Sequence, residues 1–364
     1  MQLRNPRQGK YAYSSLMMLS TSALEDGQSA ASSLAVKKFC VSSSGNPAFG
    51  PMEEEIASKY SIPTIPEGET SESAYTHCVH ILPYEYNLVK SYAVGIQPLE
   101  TSSADQRRAN RKKKNTKSTQ MQPTFIDFCP PLNSNLGKRV GGQRQGGEML
   151  LKAVAPAKYS NEKGGGAIVY DLTAGFGQDS MILAAGHTGQ VHMMERDPIV
   201  ALLLKDAMRR LHLIAEEIDE NRCHSLNEKL FLHESDAVNF CKKRRVDLND
   251  NIGDDCAEAP DVCYLDPMFP PRTKSAAVKK NMQILHGLFH TNEELDNDNE
   301  RWQQEQELLN AALALAKSRV VVKRPVNAPP LGTSTDVPYD MSVPLPSFEL
   351  KGSINRFDIY MKSS

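Results

Sequence analysis

A carboxylate followed by proline closes one short apolar run, Tyr264-Leu265-Asp266-Pro267-Met268-Phe269-Pro270. Proline locks φ and donates no hydrogen bond. The Asp266 carboxylate and the Pro267 carbonyl are thereby set as two acceptors, which can both take protons from one exocyclic amino group. Phe269 adds an aromatic face on which a planar base can stack. A rigid turn is the plainer alternative for the same residues.

A second segment, Asp171-Leu172-Thr173-Ala174-Gly175-Phe176-Gly177-Gln178-Asp179, carries two glycines that let the backbone turn sharply and approach a ligand. A dinucleotide-binding turn would want a third glycine at position 180, where this chain has Ser180, so no pyrophosphate cradle is indicated. Glu195, 18 residues beyond Gly177, ends the next apolar run, where a carboxylate can accept both hydroxyls of a ribose. Asp236 ends a third run and can accept from an adenine amino group. Asp171, Gly175, Gly177, Glu195 and Asp236 together describe a pocket for a nucleoside without a diphosphate. S-adenosylmethionine fits that description.

These residues need a scaffold that lines up the ends of successive strands. From Gly166 onward the sequence alternates apolar runs with helical stretches, and strands are expected at Ala167–Tyr170, Gln190–Met194, Lys229–His233, Asp261–Leu265 and Ser318–Val322. Val200, Leu203, Leu204, Ala207 and Leu211 share one helical face, with Asp197 as N-cap and Pro198 at the first helical position. Such alternation predicts an α/β fold with a doubly wound parallel sheet, whose ligands bind beyond the carboxyl ends of the strands. Phe348–Leu350 and Arg356–Met361, around Gly352, predict an antiparallel hairpin at the sheet edge. Residues 34–97 predict a small α+β subdomain. Its elements are a strand at Leu34–Val41, a helix at Met52–Tyr60, and strands at His77–Leu82 and Leu88–Ile96 joined around Pro83.

The organisation expected is therefore a tail at 1–33, the subdomain at 34–97, a basic insert at 98–120, and a catalytic domain at 121–364. The 42 Lys and Arg against 44 Asp and Glu exclude a histone-like polycation but not a nucleic-acid binder with clustered charge. No apolar run approaches the ~18 residues of a membrane span, so no membrane partner is expected. The seven cysteines include no C-x-x-C pair, so neither a disulfide framework nor a zinc site is indicated, and no metal is expected. Met1 to Leu24 holds Arg4, Arg7, Lys10 and several Ser and Thr with no acid, which suits an organellar transit peptide or a plain tail. The insert, with Arg107, Arg108, Arg111, Lys112, Lys113, Lys114 and Lys117, reads as a solvated loop, an RNA-phosphate patch or a nuclear-import signal.

The sequence resembles the small-subunit ribosomal RNA guanine-N2 methyltransferases of the RsmJ type. The resemblance runs from about Phe125 to Tyr360 and is carried by FIDF at 125–128, DLTAGFGQD at 171–179, MERDPIVALLLKD at 194–206, YLDPMFPPRTKSAAVKK at 264–280, RVVVKRP at 319–325 with NAPPL at 327–331, and RFDIY at 356–360. It implies a class I S-adenosylmethionine-dependent methyltransferase fold, with Gln178, Asp179, Glu195, Arg196, Ser235, Asp236 and Asp266 as cofactor contacts. Gln178 departs from the arginine usual in the family. The implied partner is small-subunit ribosomal RNA, free or in the assembled subunit.

RNA would need to be held near the reacting edge. Arg272, Lys274, Lys279 and Lys280 follow the Asp-Pro motif, and Lys317, Arg319, Lys323 and Arg324 flank the fifth strand; all are expected phosphate contacts, with a solvated face as the alternative. Two other classes stand beside the methyltransferase. One is an NAD-type oxidoreductase, against which the missing third glycine argues. The other is a non-catalytic ribosome-assembly protein that keeps the fold. The expected compartment is an organelle if the tail is a transit peptide, and otherwise the cytoplasm.

Overall fold

The computed structural model describes residues 39–43, 45–65, 75–99, 122–142, 147–154, 166–186, 188–218, 221–249, 258–267, 298–331, 333 and 344–362, and structural statements below refer to these. The tail, nearly all of the basic insert, Phe269, Arg272, Lys274, Lys279 and Lys280 lie outside them. The chain forms two compact units. One comprises residues up to Phe125 with Lys205–Ile218, the other Ile126–Leu204 with Asp219–Ser364.

The first unit is built on a three-stranded sheet, β1 (Phe39–Ser42), β2 (His77–Tyr86) and β3 (Val89–Pro98), with helix α1 (Gly50–Tyr60). β1 runs parallel to β2, and β2 antiparallel to β3. The expected break at Pro83 is not there: β2 passes through it, with Pro83 opposite Tyr92. β1 pairs only with His77–His80, so at Pro83 only β3 flanks the strand and no second neighbour needs its missing N–H. The hairpin turns instead at Asn87, which takes φ 52°, a conformation asparagine tolerates better than most residues. Lys205–Ile218 contributes to this unit through a buried charge cluster that no reading of residues 34–97 alone could reveal. Asp206 accepts from the Val94 amide at 2.9 Å, and pairs with Arg209 at 2.8 Å and Arg210 at 2.9 Å.

The second unit holds helices α2 (Asn135–Val140) and α3 (Met149–Val154), then strand β4 (Ala167–Asp171), helix α4 (Gln178–Ala185), strand β5 (Thr188–Glu195) and the start of helix α5 (Pro198–Glu217). It continues through α6 (Asn221–Lys229), β6 (Leu230–Glu234), α7 (Ala237–Asn249), β7 (Val262–Leu265), α8 (Asp298–Leu315) and β8 (Arg319–Pro325). The hairpin β9 (Phe348–Lys351) and β10 (Asn355–Met361) closes it. The sheet order is β6-β5-β4-β7-β8-β10-β9, with every strand running the same way except β10, which is antiparallel to both β8 and β9. The chain winds outward from β4 to β6, then returns to lay β7 against the other side of β4. That reversal opens a crevice beyond the carboxyl ends of β4 and β7.

Val262–Leu265 and Val320–Val322 are fully buried, as strands covered on both faces must be. Leu309 and Ala312 of α8 with Ala237 and Cys241 of α7 complete one core cluster against them. A leucine or valine in this cluster, such as Leu309 or Val322, contributes about 1.5–3 kcal/mol on burial. The Asp197 cap forms as its position implied: its Oδ1 accepts from Ile199 and Val200 amides at 3.0 and 3.1 Å. The described cysteines are free thiols, all buried. No described helix is long and apolar enough to cross a membrane.

Candidate active site

The strand β4 ends at Asp171 and the chain turns through Leu172–Gly177 into α4. Gly175 and Gly177 hold φ 52° and 68°, the left-handed region where a side chain is strained. At Gly177 a Cβ would also lie 2.9 Å from the Phe128 ring, so the loop is seated directly on the FIDF motif. Asp171 is 1% exposed and accepts from the Ser180 hydroxyl and, at 3.2 Å, from the Thr173 amide. Through these two bonds the Asp171 carboxyl holds the loop between β4 and α4 in place. Burial pushes its pKa up to about 7, against the pull of those hydrogen bonds. Ser180, at the place of a dinucleotide glycine, is thus the residue that ties α4 to β4.

At the end of β5, Glu195 accepts from the Gly175 amide at 3.0 Å and from the Asp197 amide at 2.8 Å. Both carboxylate oxygens are therefore fixed by backbone, and the remaining lone pairs can accept further donors. Burial pushes Glu195 up to about 8. Ser235 follows β6, and its amide donates to the Glu195 carbonyl at 3.0 Å. Asp236 caps α7 by accepting from Asn239 at 3.0 Å. Gln178 and Arg196 expose their side chains at the same edge.

At the crevice itself, the Asp266 amide donates to Thr173 Oγ1 at 2.6 Å, joining the ends of β7 and β4. Asp266 and Pro267 are half-buried. Lys323 Nζ lies 2.6 Å from Oδ2 of Asp266 and 2.6 Å from Oδ2 of Asp179, and the Tyr264 hydroxyl donates to Asp179 at 2.7 Å. Burial raises Asp266 above the usual carboxylate range, with Lys323 acting against it. Asp179 is held below that range: burial opposes its charge, but Lys323, the Tyr264 hydroxyl and Arg139 together outweigh it. Arg139 lies 3.7 Å from Asp179 while bound to Glu148 at 2.8 Å.

The sequence reading missed Tyr264, Thr173 and Arg139 as parts of this edge. It also misplaced the basic residues around β8. Arg324 is 3% exposed, donates to the Pro329 carbonyl at 3.0 Å and lies 3.7 Å from Glu305, so it does not present a charge to phosphate. Arg319 begins β8, at the opposite end of the strand from the crevice, and Lys317 pairs with Glu258 at 3.0 Å just before it. Arg356 completes a clamp on the loop after β8, donating to the carbonyls of Val326 at 3.0 Å and Ala328 at 2.6 Å.

The raised carboxyls carry a stability consequence. A carboxyl whose pKa is higher folded than unfolded stabilises fully below its unfolded value and loses that contribution as pH rises through the folded one. For Glu195 this window runs from 4.5 to about 8. The ligand-free protein should therefore unfold at lower urea at about pH 9 than at about pH 6, and Glu195→Gln should shrink the difference. An undiminished difference in the variant would remove Glu195 as its source.

The family model for SAM-dependent methyltransferases matches residues 96–362. A ribosomal RNA small subunit methyltransferase J of Pseudoalteromonas atlantica is 38% identical over 238 residues, covering 65% of this chain and 76% of the relative. Another of that name, from Saccharophagus degradans, is 36% identical over 239 residues, covering 65% and 75%. Among solved structures, a SAM-dependent methyltransferase of Neisseria gonorrhoeae aligns with TM-score 0.52 at 21% identity, over 89% of this chain and 95% of that one.

Proposed function

The chain belongs to the SAM-dependent methyltransferase family and groups with the ribosomal RNA small subunit methyltransferase J proteins, and from that premise we propose that it methylates the exocyclic N2 of a guanine in small-subunit ribosomal RNA. The observation that carries this reading is the set of carboxylates at one sheet edge, Glu195, Asp236, Asp179 and Asp266. Burial raises Glu195 and Asp266, and a bound donor or cation favours their ionised form, in which a carboxylate only accepts hydrogen bonds. They suit a ligand with ribose hydroxyls, amino groups and a positive charge, and they repel a diphosphate. S-adenosylmethionine is such a ligand, and the Ser180–Asp171 bond at the place of a third glycine supports it over NAD.

Residue roles follow from position. Glu195 takes the ribose hydroxyls and Asp236 the adenine amine, while Gly175 and Gly177 let the backbone come close. Gln178, Arg196 and Ser235 border the same pocket. Bound there, the cofactor supplies an electrophilic methyl on a sulfonium sulfur, and transfer leaves a neutral thioether. Guanine N2 is a weak nucleophile because its lone pair is delocalised into the ring. Asp266 and the Pro267 carbonyl accept its two N–H groups, which returns electron density to nitrogen as the new N–C bond forms, and Asp266 takes the departing proton. The base must leave any stack to reach this edge, with Phe269 as its stacking partner.

RNA phosphates are assigned to Arg272, Lys274, Lys279 and Lys280, which follow Pro267 in sequence. The non-catalytic alternative finds no support in the comparisons. The relatives are bacterial and lend the transit-peptide reading of residues 1–33 no support either. Nucleoside analysis tests the assignment: small-subunit RNA from cells lacking this protein should lose one N2-methylguanosine and regain it on complementation. Unchanged N2-methylguanosine would overturn the proposed target.

A further inference from the structure

One ammonium group at this edge faces two carboxylates, and its distances are short. Lys323 Nζ is 2.6 Å from Asp179 Oδ2 and 2.6 Å from Asp266 Oδ2, so the two oxygens lie no further apart than twice that distance. The fold dictates the meeting. Leu265 of β7 is paired with Val322 of β8, so Asp266, just past the end of β7, lies beside Lys323, which is still within β8. Asp179 arrives from the first turn of α4, directly after the glycine loop. The lysine side chain is only 21% exposed, which leaves it little surface to offer a phosphate.

We propose that Lys323 is a positioning residue for methyl transfer: it orients the Asp266 carboxylate toward the acceptor amine and ties it to the cofactor loop through Asp179. This rests on the reading of the site as a guanine-N2 methyltransferase. The electrostatics point the same way. The groups facing Asp266 are Asp179 from α4, Asp171 from β4, Tyr264 from β7, and Lys323 and Arg324 from β8. Burial and Asp179 disfavour an ionised Asp266, while Lys323 and Arg324 favour it. Arg324 is already committed to Pro329 and Glu305, so Lys323 is the cation in direct contact. Without it, two carboxylates would share the edge, and like charges at that range drive one of them to bind a proton. A protonated Asp266 cannot accept the amine proton, so the chemistry would slow while RNA binding stayed intact. A lysine that contacted phosphate would show the reverse pattern.

The test compares wild type, Lys323→Met and Lys323→Arg in methyl transfer from S-adenosylmethionine to small ribosomal subunits, with kcat and KM followed across pH. Lys323→Met is expected to lower kcat about 10²-fold, with KM for the subunits changed less than about threefold. Its acid limb should move to higher pH by about one unit or more. Lys323→Arg keeps the cation and should restore the acid limb even if the rate stays reduced, and it guards against a folding defect in the methionine variant. A raised KM and a flattened salt dependence, with kcat and the acid limb unchanged, would overturn the positioning role and make Lys323 a phosphate contact. Absence of any transfer by the wild type would overturn the methyltransferase reading itself, and this role with it.

Discussion

Replacing Asp266 with alanine is expected to lower kcat for methyl transfer by about two to four orders of magnitude, a barrier increase of about 3–5 kcal/mol. The size of the effect follows from geometry. The Asp266 backbone is anchored independently of its side chain, because its amide donates to Thr173 Oγ1 at 2.6 Å. Removing the carboxylate therefore takes away the proton acceptor without releasing the strand end that carries it. Its side chain is 36% exposed, so the loss of packing is small and the fold should survive. Affinity for small subunits should change little, since the phosphate contacts assigned to the basic segment are untouched. Single-turnover transfer with saturating RNA measures the chemical step directly. A rate within about threefold of wild type would remove Asp266 from the proton-accepting role.

The second large effect is expected at Glu195. Its carboxylate gathers the Gly175 amide at 3.0 Å and the Asp197 amide at 2.8 Å, binding the glycine loop to the start of α5. Glu195→Ala leaves the buried Asp197 amide without this acceptor, at about 1–3 kcal/mol, frees the part-buried Gly175 amide, and removes the acceptor proposed for the ribose. Affinity for S-adenosylmethionine should fall by about two to three orders of magnitude. Glu195→Gln keeps the volume, but an amide presents its NH2 to one of two N–H donors, so it too should bind weakly. Calorimetric titration of the folded variants gives the answer, and affinity close to wild type in both would end the assignment of Glu195 to the ribose.

How much of this was legible in the sequence depended on where each residue sits along its strand. Asp171, Glu195 and Asp266 were found because parallel strands buried on both faces read as uninterrupted apolar runs, so the first polar residue marks the strand end. That same rule misled at β8. The apolar run stops at Val322, but the strand continues to Pro325, and side chains in a strand alternate between faces. Lys323 and Arg324 therefore part company, one to Asp179 and Asp266, the other to Pro329 and Glu305. A pair of adjacent basic residues looked like one surface patch and is two separate sets of contacts, with Lys323 part-buried and Arg324 buried. Asp171 shows a different limit: its position was legible but its depth was not, because the Ser180 hydroxyl that engages it comes from the next element. Pro83 was read as a break because sequence alone does not show that β1 stops short of it.

The most direct measurement is transfer of tritiated methyl from S-adenosylmethionine to small ribosomal subunits by the wild type and by Asp266→Ala. Label recovered as N2-methylguanosine with the wild type, and almost none with the variant, is the expected result. Label in another nucleoside, or equal label from both proteins, would contradict the assignment of this strand edge to guanine-N2 methylation.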